Sequence, residues 1–245
     1  MIRLCRSVSL LLILVSLCGW AHPSAAQDAD DDFDMFEEEF LDERVTISDP
    51  LQGLNRVMFK LNDKVYFSII KTLAREYKRV TTRAARISMR NFFHNLAAPG
   101  RFANCVLQGK GKGAHRELKR FLVNSTVGIL GFADPAKEDM GLEATREDLG
   151  QTLATYGFGN GFYIVWPFFG PSTLRDSLGR AGDIWVNPLV YVNSTDAYLV
   201  LALAKSANEY SFRLGDYEAL KMDTLDPYVV MRNAYLQYRN QQISE

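Results

Sequence analysis

From residue 49 onward, apolar residues recur at intervals of three and four, a spacing that predicts a long amphipathic helix. Its apolar face consists of Leu51, Leu54, Met58, Leu61, Val65, Ile69 and Leu73. Asp49-Pro50 stands directly before this face. An aspartate N-cap followed by proline at the first helical position is a common helix start, and the pair recurs at Asp134-Pro135 and Asp226-Pro227.

Polar residues indicate helix ends farther along the chain. The segment Thr145–Asp148 resembles a capping box, and Gly157 stands where a helix from Glu147 would end. Ser172 could cap a short helix that runs through Leu178. These signals predict several helices of moderate length.

The span 196–214 also has the pattern of a helix, and its segment 197–204 is apolar on all sides, which predicts burial. No convincing strand pattern interrupts the helices. The sequence therefore predicts one all-α domain over residues 49–245.

The stretch 156–176, YGFGNGFYIVWPFFGPSTLRD, combines seven aromatic residues with glycines and prolines that disfavour both a regular helix and a central strand. Seven rings represent roughly 1,000–1,700 Å² of surface. The largest apolar patch on a soluble monomer is only about 300–600 Å².

These rings must therefore pack in the core, enter a bilayer or line an apolar channel. For Phe158, Phe162 and Trp166 an irregular core segment remains an equal alternative. The candidates for a membrane-facing or channel-lining position are Tyr156, Phe158, Gly159, Gly161, Phe162, Tyr163, Trp166, Phe168 and Phe169.

Basic residues form a second pattern, since seven of them recur at steps of three and four and predict one charged helix face. They are Lys71, Arg75, Lys78, Arg79, Arg83, Arg86 and Arg90. Such a face is either solvated or turned toward phosphates. An exported protein meets lipid headgroups rather than nucleic acid, so we expect Arg83, Arg86 and Arg90 as candidates for headgroup contact.

The first residues indicate export. Arg3 and Arg6 form a short basic region before the apolar run Val8–Leu17, which suits a secretory signal peptide. Ser24–Ala26 provides small residues for cleavage before Gln27, which makes residues 1–26 the signal peptide. Cys18 offers a competing interpretation as a lipidation site, although Leu17 before it is larger than that motif prefers.

An acidic segment follows. Residues 28–43 hold ten of the chain's 29 acids, and of its 28 bases only Arg3 and Arg6 precede them. From residue 44 onward there are thus 19 acids and 26 bases, a net charge of +7. We expect residues 27–48 to be a flexible leader in front of a basic body.

Motifs of catalysis are missing. The sequence has no nucleophile elbow, no zinc-protease motif and no phosphate-binding loop. His94 and His115 lie far from each other in sequence, and Cys105 is expected to be a small buried residue. We therefore expect neither a catalytic site, nor a metal site, nor a cofactor.

Most of the chain resembles one family, the MlaA (VacJ) proteins that maintain lipid asymmetry in Gram-negative outer membranes. The motifs that carry the resemblance are Asp49–Arg56 with Met58-Phe59, Asn91–Leu96 with Pro99, Asn104 with Leu107–Gly109, Arg120–Thr126 with Gly128, Asp134–Ala136, Asp148–Leu153, the glycines and prolines of 156–176 with Arg175-Asp176, and finally Asp226–Tyr228, Arg232, Ala234–Gln237 and Arg239.

The resemblance implies a ring-shaped helical domain embedded in the periplasmic leaflet of the outer membrane, with a central amphipathic channel. It also implies association with a trimeric porin and delivery of phospholipids to a soluble periplasmic carrier protein. By this analogy the aromatic stretch helps to form the embedded channel region. Trp166 departs from the family pattern, where we expect an aliphatic residue.

The leading hypothesis is a phospholipid transport component that removes mislocalised phospholipids from the outer leaflet. The alternative is a structural or assembly factor that binds porins or the membrane without moving lipid. An enzyme acting on lipids is the third hypothesis, and no motif supports it.

Overall fold

The computed structural model describes residues 48–222 and 224–244, so the signal-peptide, acidic-leader and Cys18 predictions lie outside the described residues. The helices of the first half are α1 Gln52–Val65, α2 Lys71–Val80, α3 Arg83–Leu96, α4 Ala98–Leu107, α5 Gly111–Thr126, α6 Pro135–Glu138 and α7 Leu149–Thr155. The second half contains strands β1 Tyr163–Trp166 and β2 Gly170–Thr173, then α8 Leu174–Ile184, a 3-10 turn Pro188–Tyr191, α9 Thr195–Phe212, α10 Asp216–Met222 and α11 Pro227–Ser244.

The predicted all-α class is confirmed, because helices make up nearly all of the regular structure in this part of the chain. Helices α4 and α5 pack against each other, as do α7 and α8, while α9 lies along α2 and α3. None of the described helices is both long and apolar enough to cross a bilayer.

The long first helix is observed as α1 and α2, joined without a break by a π-helical turn at Tyr66–Ile70. Its predicted cap is wrong. Leu51 is the N-cap residue and makes no side-chain cap bond. The Asp49 carboxylate instead accepts hydrogen bonds from Asn55, Tyr228 and Arg232, so it ties the start of α1 to α11.

The apolar face of this first helix is largely exposed. Leu54 and Ile69 are each 55% exposed, and Leu61 and Leu73 are exposed as well. The buried side of α1, the π-helical turn and α2 instead carries Asn55, Tyr66 and Ala74. The amphipathic pattern therefore indicates an apolar surface that the other described residues leave uncovered.

The basic face does not lie on one helix, which corrects the prediction. Helix α2 ends at Val80, Thr81 is extended, and the Thr82 hydroxyl accepts a hydrogen bond from the Ala85 amide to cap α3. The basic residues keep their spacing of three and four in the sequence, but the break between α2 and α3 separates them into two helices. Consequently Arg83 is exposed, whereas Arg86 is 7% exposed.

The apolar segment 197–204 of α9 is also placed differently from the prediction. The helix begins at Thr195, one residue earlier than expected, and the Ser194 side chain caps it. Tyr198, Leu199 and Leu203 are exposed, and within the segment only Ala204 is buried. A helix apolar on all sides fits either a protein core or a membrane, and the described residues leave most of this segment outside the core.

Most other helix starts are confirmed. The side chains of Asp134 and Asp226 accept hydrogen bonds from the amides of Lys137 and Val229, as aspartate N-caps do. Helix α7 begins at Leu149, two residues later than expected, and Asp148 rather than Thr145 caps it. The cap of α8 is Thr173 rather than Ser172.

Candidate functional site

Within the aromatic stretch, residues 163–173 form an antiparallel hairpin, which we call the aromatic hairpin. Tyr163 pairs with Thr173 and Trp166 with Gly170, and Pro167–Phe169 forms the tip. The prediction that this stretch forms no regular element is therefore wrong. The glycines and prolines end the strands and shape the turn instead of preventing the pairing.

Asn55 of α1 holds the outer edge of strand β1. Its amide nitrogen donates to the Tyr163 carbonyl at 3.0 Å, and its carbonyl oxygen accepts from the Val165 amide at 2.8 Å. Asn55 is 1% exposed, so water cannot replace these bonds. The side chain thus acts as a partner strand would, and it stabilises a hairpin that would be marginal alone.

Asn62 repeats this arrangement two turns later, at the hairpin tip. Its amide nitrogen donates to the Trp166 carbonyl at 2.9 Å, and its oxygen accepts from the Phe168 amide at 2.7 Å. Phe168 has φ = +67°, a left-handed conformation that costs a residue with a Cβ about 1–2 kcal/mol. Two asparagines on one helix therefore fix the hairpin, and only Asn55 lay within the sequence motifs.

The tip presents its rings outward. Phe168 is 72% and Phe169 is 78% exposed, and Tyr156 and Phe158 nearby in sequence are exposed as well. Trp166 is less exposed, and its indole nitrogen donates to the Ser177 hydroxyl at 2.8 Å. These five residues are exposed, and a membrane-facing role for them stays a prediction.

Tyr163 is not exposed, and its membrane-facing assignment is wrong. It is 1% exposed and packs in the core with Val165, Tyr228 and Leu236. Because successive side chains on a strand point to opposite faces, the strand that exposes Trp166 must turn Tyr163 and Val165 inward.

The other candidates in this stretch serve the backbone. Gly161 has φ = +66°, and a Cβ there would lie 2.9 Å from the Leu174 Cβ atom. Gly161 therefore shapes the entry to the hairpin, and a side chain at this position would strain the fold. Gly159 is exposed and Phe162 is half-buried.

A buried ionic cluster holds the base of the hairpin. Arg239 of α11 donates to Asp176 at 2.9 and 3.1 Å and to Asp148 at 2.6 and 3.0 Å. Tyr235 donates its hydroxyl to Asp176 at 2.7 Å. The cluster joins α7, α8 and α11 directly beneath strand β2.

Two glycines allow α7 and α8 to approach each other closely at the ionic cluster. A Cβ on Gly150 would lie 2.7 Å from an Asp176 oxygen, and one on Gly179 would lie 2.4 Å from the Gly150 nitrogen. Only residues without side chains permit α7 and α8 to come this close. The close contact of α7 with α8 at the cluster therefore explains why the motifs contain Gly150, Asp176 and Arg239.

Of the three arginines proposed for headgroup contact, two meet at one ring. The guanidinium groups of Arg86 and Arg90 lie 5.4 and 4.7 Å from the centre of the Phe212 ring. Arg86 Nε and Nη1 are buried and make no hydrogen bond within the described part of the chain. Burial lowers the pKa of Arg86, with a smaller contribution from Arg83.

The structure also places Cys105 and the residues that could bind a metal ion. Cys105 is fully buried near the Thr145 hydroxyl, and burial raises the pKa of its thiol. Over residues 48–222 and 224–244, no three His, Cys, Asp or Glu side chains converge in a way that could hold a metal ion.

Comparison with known families gives one match, in which the model of the MlaA lipoprotein family covers residues 47–242. Curated relatives agree. The Escherichia coli (strain K12) intermembrane phospholipid transport system lipoprotein MlaA is 33% identical over 193 residues, which span 78% of this chain and 76% of that protein. An uncharacterised protein of Rickettsia bellii is 33% identical over 79% of this chain and 76% of its own length.

A solved structure has the same fold. It comes from work on the structural basis for maintenance of bacterial outer membrane lipid asymmetry. The superposition has a TM-score of 0.72 at 29% sequence identity, and it covers 80% of this chain and 100% of the solved one.

Proposed function

The chain belongs to the MlaA lipoprotein family, and we propose that it removes mislocalised phospholipids from the outer leaflet of a Gram-negative outer membrane. Membership confirms the resemblance found in the sequence. The family is a phospholipid transport component that acts in outer membrane lipid asymmetry, as the names of the relatives and of the structural neighbour state.

The observation that carries the proposal is the outward aromatic tip of the hairpin. Phe168 and Phe169 expose most of their surface although Asn62 holds the tip rigidly, so the exposure is a property of the fold. Burying one such ring in a bilayer contributes about 1.5–3 kcal/mol. Two rings on a fixed turn would therefore seat this end of the domain in the membrane.

Exposed helix faces extend this apolar surface. Leu54, Val57 and Leu61 are exposed on α1, and Leu199 and Leu203 are exposed on α9. The domain would sink these faces into one leaflet of the outer membrane, the periplasmic one, without crossing it. In this position the helices would form a ring around a central amphipathic channel through which lipids leave the outer leaflet.

The basic residues would meet phosphates at the edge of the embedded region. Arg83 is exposed at the start of α3, and Arg90 follows two turns later. Arg86 lies between them, its Nε and Nη1 atoms bond to none of the described residues, and a phosphate oxygen is a strong acceptor for such groups.

We propose the export and the partners of the protein by analogy with its family. We propose that residues 1–26 direct export, that residues 27–48 form the leader of the 49–245 domain, and that Cys18 is a competing lipid acceptor. A trimeric porin would hold the protein in place, and a soluble periplasmic carrier would receive the lipid. The protein would act without catalysis, because transport requires a path rather than a reacting group.

The test uses a deletion strain of the source bacterium, in which outer-leaflet aminophospholipid is labelled on intact cells with a membrane-impermeant amine reagent. We expect more label on deletion, a return to normal with the wild-type gene, and no return with the Phe168→Ser/Phe169→Ser variant. Porin levels are measured in parallel. Unchanged label with altered porin levels would replace transport by the assembly role.

A further inference from the structure

A cavity of about 460 Å³ lies between α9 and the 3-10 turn, in the size range of small-molecule sites. Its wall includes Tyr198, Ala202, Lys205 and Glu209 of α9, and Arg213, which directly follows the helix. The four helical residues are spaced by three and four, so they share one side of the helix over about 17 Å.

The two ends of this wall differ in chemistry. Tyr198 and Ala202, with Leu189 opposite, make an apolar end, and the exposed Leu199 and Leu203 adjoin it on α9. Lys205, Glu209 and Arg213 make a charged end. An amphipathic molecule with a charged head and an apolar body matches this gradient.

The charged side chains at this end have no ionic partner among the described residues. Within the described part of the chain, Lys205, Glu209 and Arg213 take part in no ion pair and in no side-chain hydrogen bond. The α9 backbone places Lys205 and Glu209 one turn apart, with Cβ atoms about 5–6 Å from each other, and Arg213 follows the end of the helix. The order along the chain is cation, anion, cation.

We infer that this cavity binds a zwitterionic phospholipid headgroup, a phosphate joined to a primary ammonium. Lys205 and Arg213 contact the phosphate, and Glu209 accepts a hydrogen bond from the ammonium. A purely anionic headgroup would leave the Glu209 carboxylate unpaired beside a second negative charge. The inference rests on the proposed function, since it names which phospholipid that function selects.

The experiment reconstitutes the full chain in nanodiscs with equal amounts of phosphatidylethanolamine and phosphatidylglycerol, re-isolates it in detergent and quantifies the retained lipids by mass spectrometry. We expect wild-type protein to retain more phosphatidylethanolamine. Glu209→Gln should lower the ratio of the two lipids about threefold, the effect of one partly exposed ion pair. Lys205→Gln should lower retention of both.

Glu76→Gln is the matched control, because Glu76 lies on α2 and outside the cavity lining. It should leave the ratio unchanged. Retained lipid with no headgroup preference, or an equal ratio in Glu209→Gln, would overturn the inference and leave the transport function standing. Absence of any retained phospholipid in the wild type would instead overturn the proposed function.

A last arm separates a lipid from a free headgroup ester. Glycerophosphoethanolamine is added to the nanodisc sample before re-isolation. If the ligand is the lipid, the ester should displace little of it, because the apolar end of the cavity contributes to binding. Complete displacement at equimolar ester would mean that the free ester is the preferred ligand, and it would overturn the assignment to phospholipid.

Discussion

Asp176 and Arg239, 63 residues apart in sequence, form a buried pair whose atoms meet at 2.9 and 3.1 Å. Both side chains are almost fully buried, at 3% and 9% exposure. Asp148 and Gln242 also accept hydrogen bonds from Arg239, and Tyr235 and Arg175 also donate to Asp176. The pair therefore fixes α11 against the α8 helix that follows the aromatic hairpin, and it links the position of the hairpin to fold stability.

Replacement of Arg239 by methionine should destabilise the fold by about 3–5 kcal/mol, because it removes the buried cation that Asp148 and Asp176 share and leaves only Arg175 beside Asp176. Urea unfolding followed by circular dichroism measures the change. Arg79→Met is the matched control, since Arg79 pairs with Glu76 on the exposed face of α2. That change should stay within about 0.5 kcal/mol. Similar losses in both variants would contradict the structural role of the cluster.

The same cluster predicts how stability depends on pH. Burial alone would raise the pKa of Asp176, but the hydrogen bonds from Arg239 and Tyr235 outweigh it and hold that pKa below its ordinary value. A lowered carboxyl pKa stabilises the fold above the pKa of the unfolded state, about 3.9, and this contribution is lost as pH falls through the folded-state pKa.

Wild-type unfolding free energy should therefore fall as pH drops below about 4. Asp176→Asn should be less stable at pH 7 and should show a shallower loss over the acidic range. Urea midpoints at a series of pH values test both expectations. An equally steep acid loss in Asp176→Asn would assign the effect to other carboxylates.

Sequence reasoning identified the helices and the family because helix caps and motifs are local signals. It missed the strand pairing at Tyr163–Trp166, since Asn55 supplies the missing partner from 108 residues away. It also placed Arg86 on a surface, because the basic residues keep a helical spacing across Thr81–Thr82, where α2 ends and a separate helix begins.

The exposed apolar face of α9 was missed for a different reason. Hydrophobicity on all sides indicates removal from water, but it does not distinguish a core from a bilayer. The ionic cluster was present in the motifs as Asp148, Asp176 and Arg239. Their partnership depends on tertiary packing, which spacing along one chain does not encode.

Asn55→Ala should destabilise the protein by about 2–4 kcal/mol, because it leaves the buried Tyr163 carbonyl and Val165 amide without partners. Asn62→Ala is the matched change on the same helix. Its backbone partners at Trp166 and Phe168 are exposed, so water can replace the lost bonds.

Asn62→Ala should therefore cost less than about 1 kcal/mol in unfolding free energy. It should also speed amide hydrogen exchange at Phe168 without affecting Val165. Thermal and urea unfolding, with exchange read by mass spectrometry, compare the two variants. Equal stability of Asn55→Ala and wild type would refute the role of Asn55 as a strand partner.

Phe168→Gly should separate stability from membrane binding. Glycine adopts the φ of +67° without strain, so stability should be unchanged or rise by about 1 kcal/mol. Loss of the ring should lower partitioning into phospholipid vesicles by at least about tenfold. Phe168→Trp, which keeps a large ring, should bind as the wild type does. Unchanged partitioning of Phe168→Gly would remove the tip from the membrane contact.

Arg86→Met tests whether the buried arginine is kept for structure or for a phosphate. A guanidinium with Nε and Nη1 buried and unbonded contributes little stability, and its stacking on Phe212 is the contact that methionine would lose. Without lipid, the melting temperature of Arg86→Met should thus equal or exceed that of the wild type.

With short-chain phosphatidylglycerol added, wild-type protein should melt at a higher temperature, because a ligand that binds only the folded state stabilises it. Arg86→Met should lose most of this rise, whereas Arg79→Met, on the exposed face of α2, should keep it. If Arg86→Met melts well below wild type and responds to lipid equally, Arg86 holds α3 against α9 and has no part in headgroup binding.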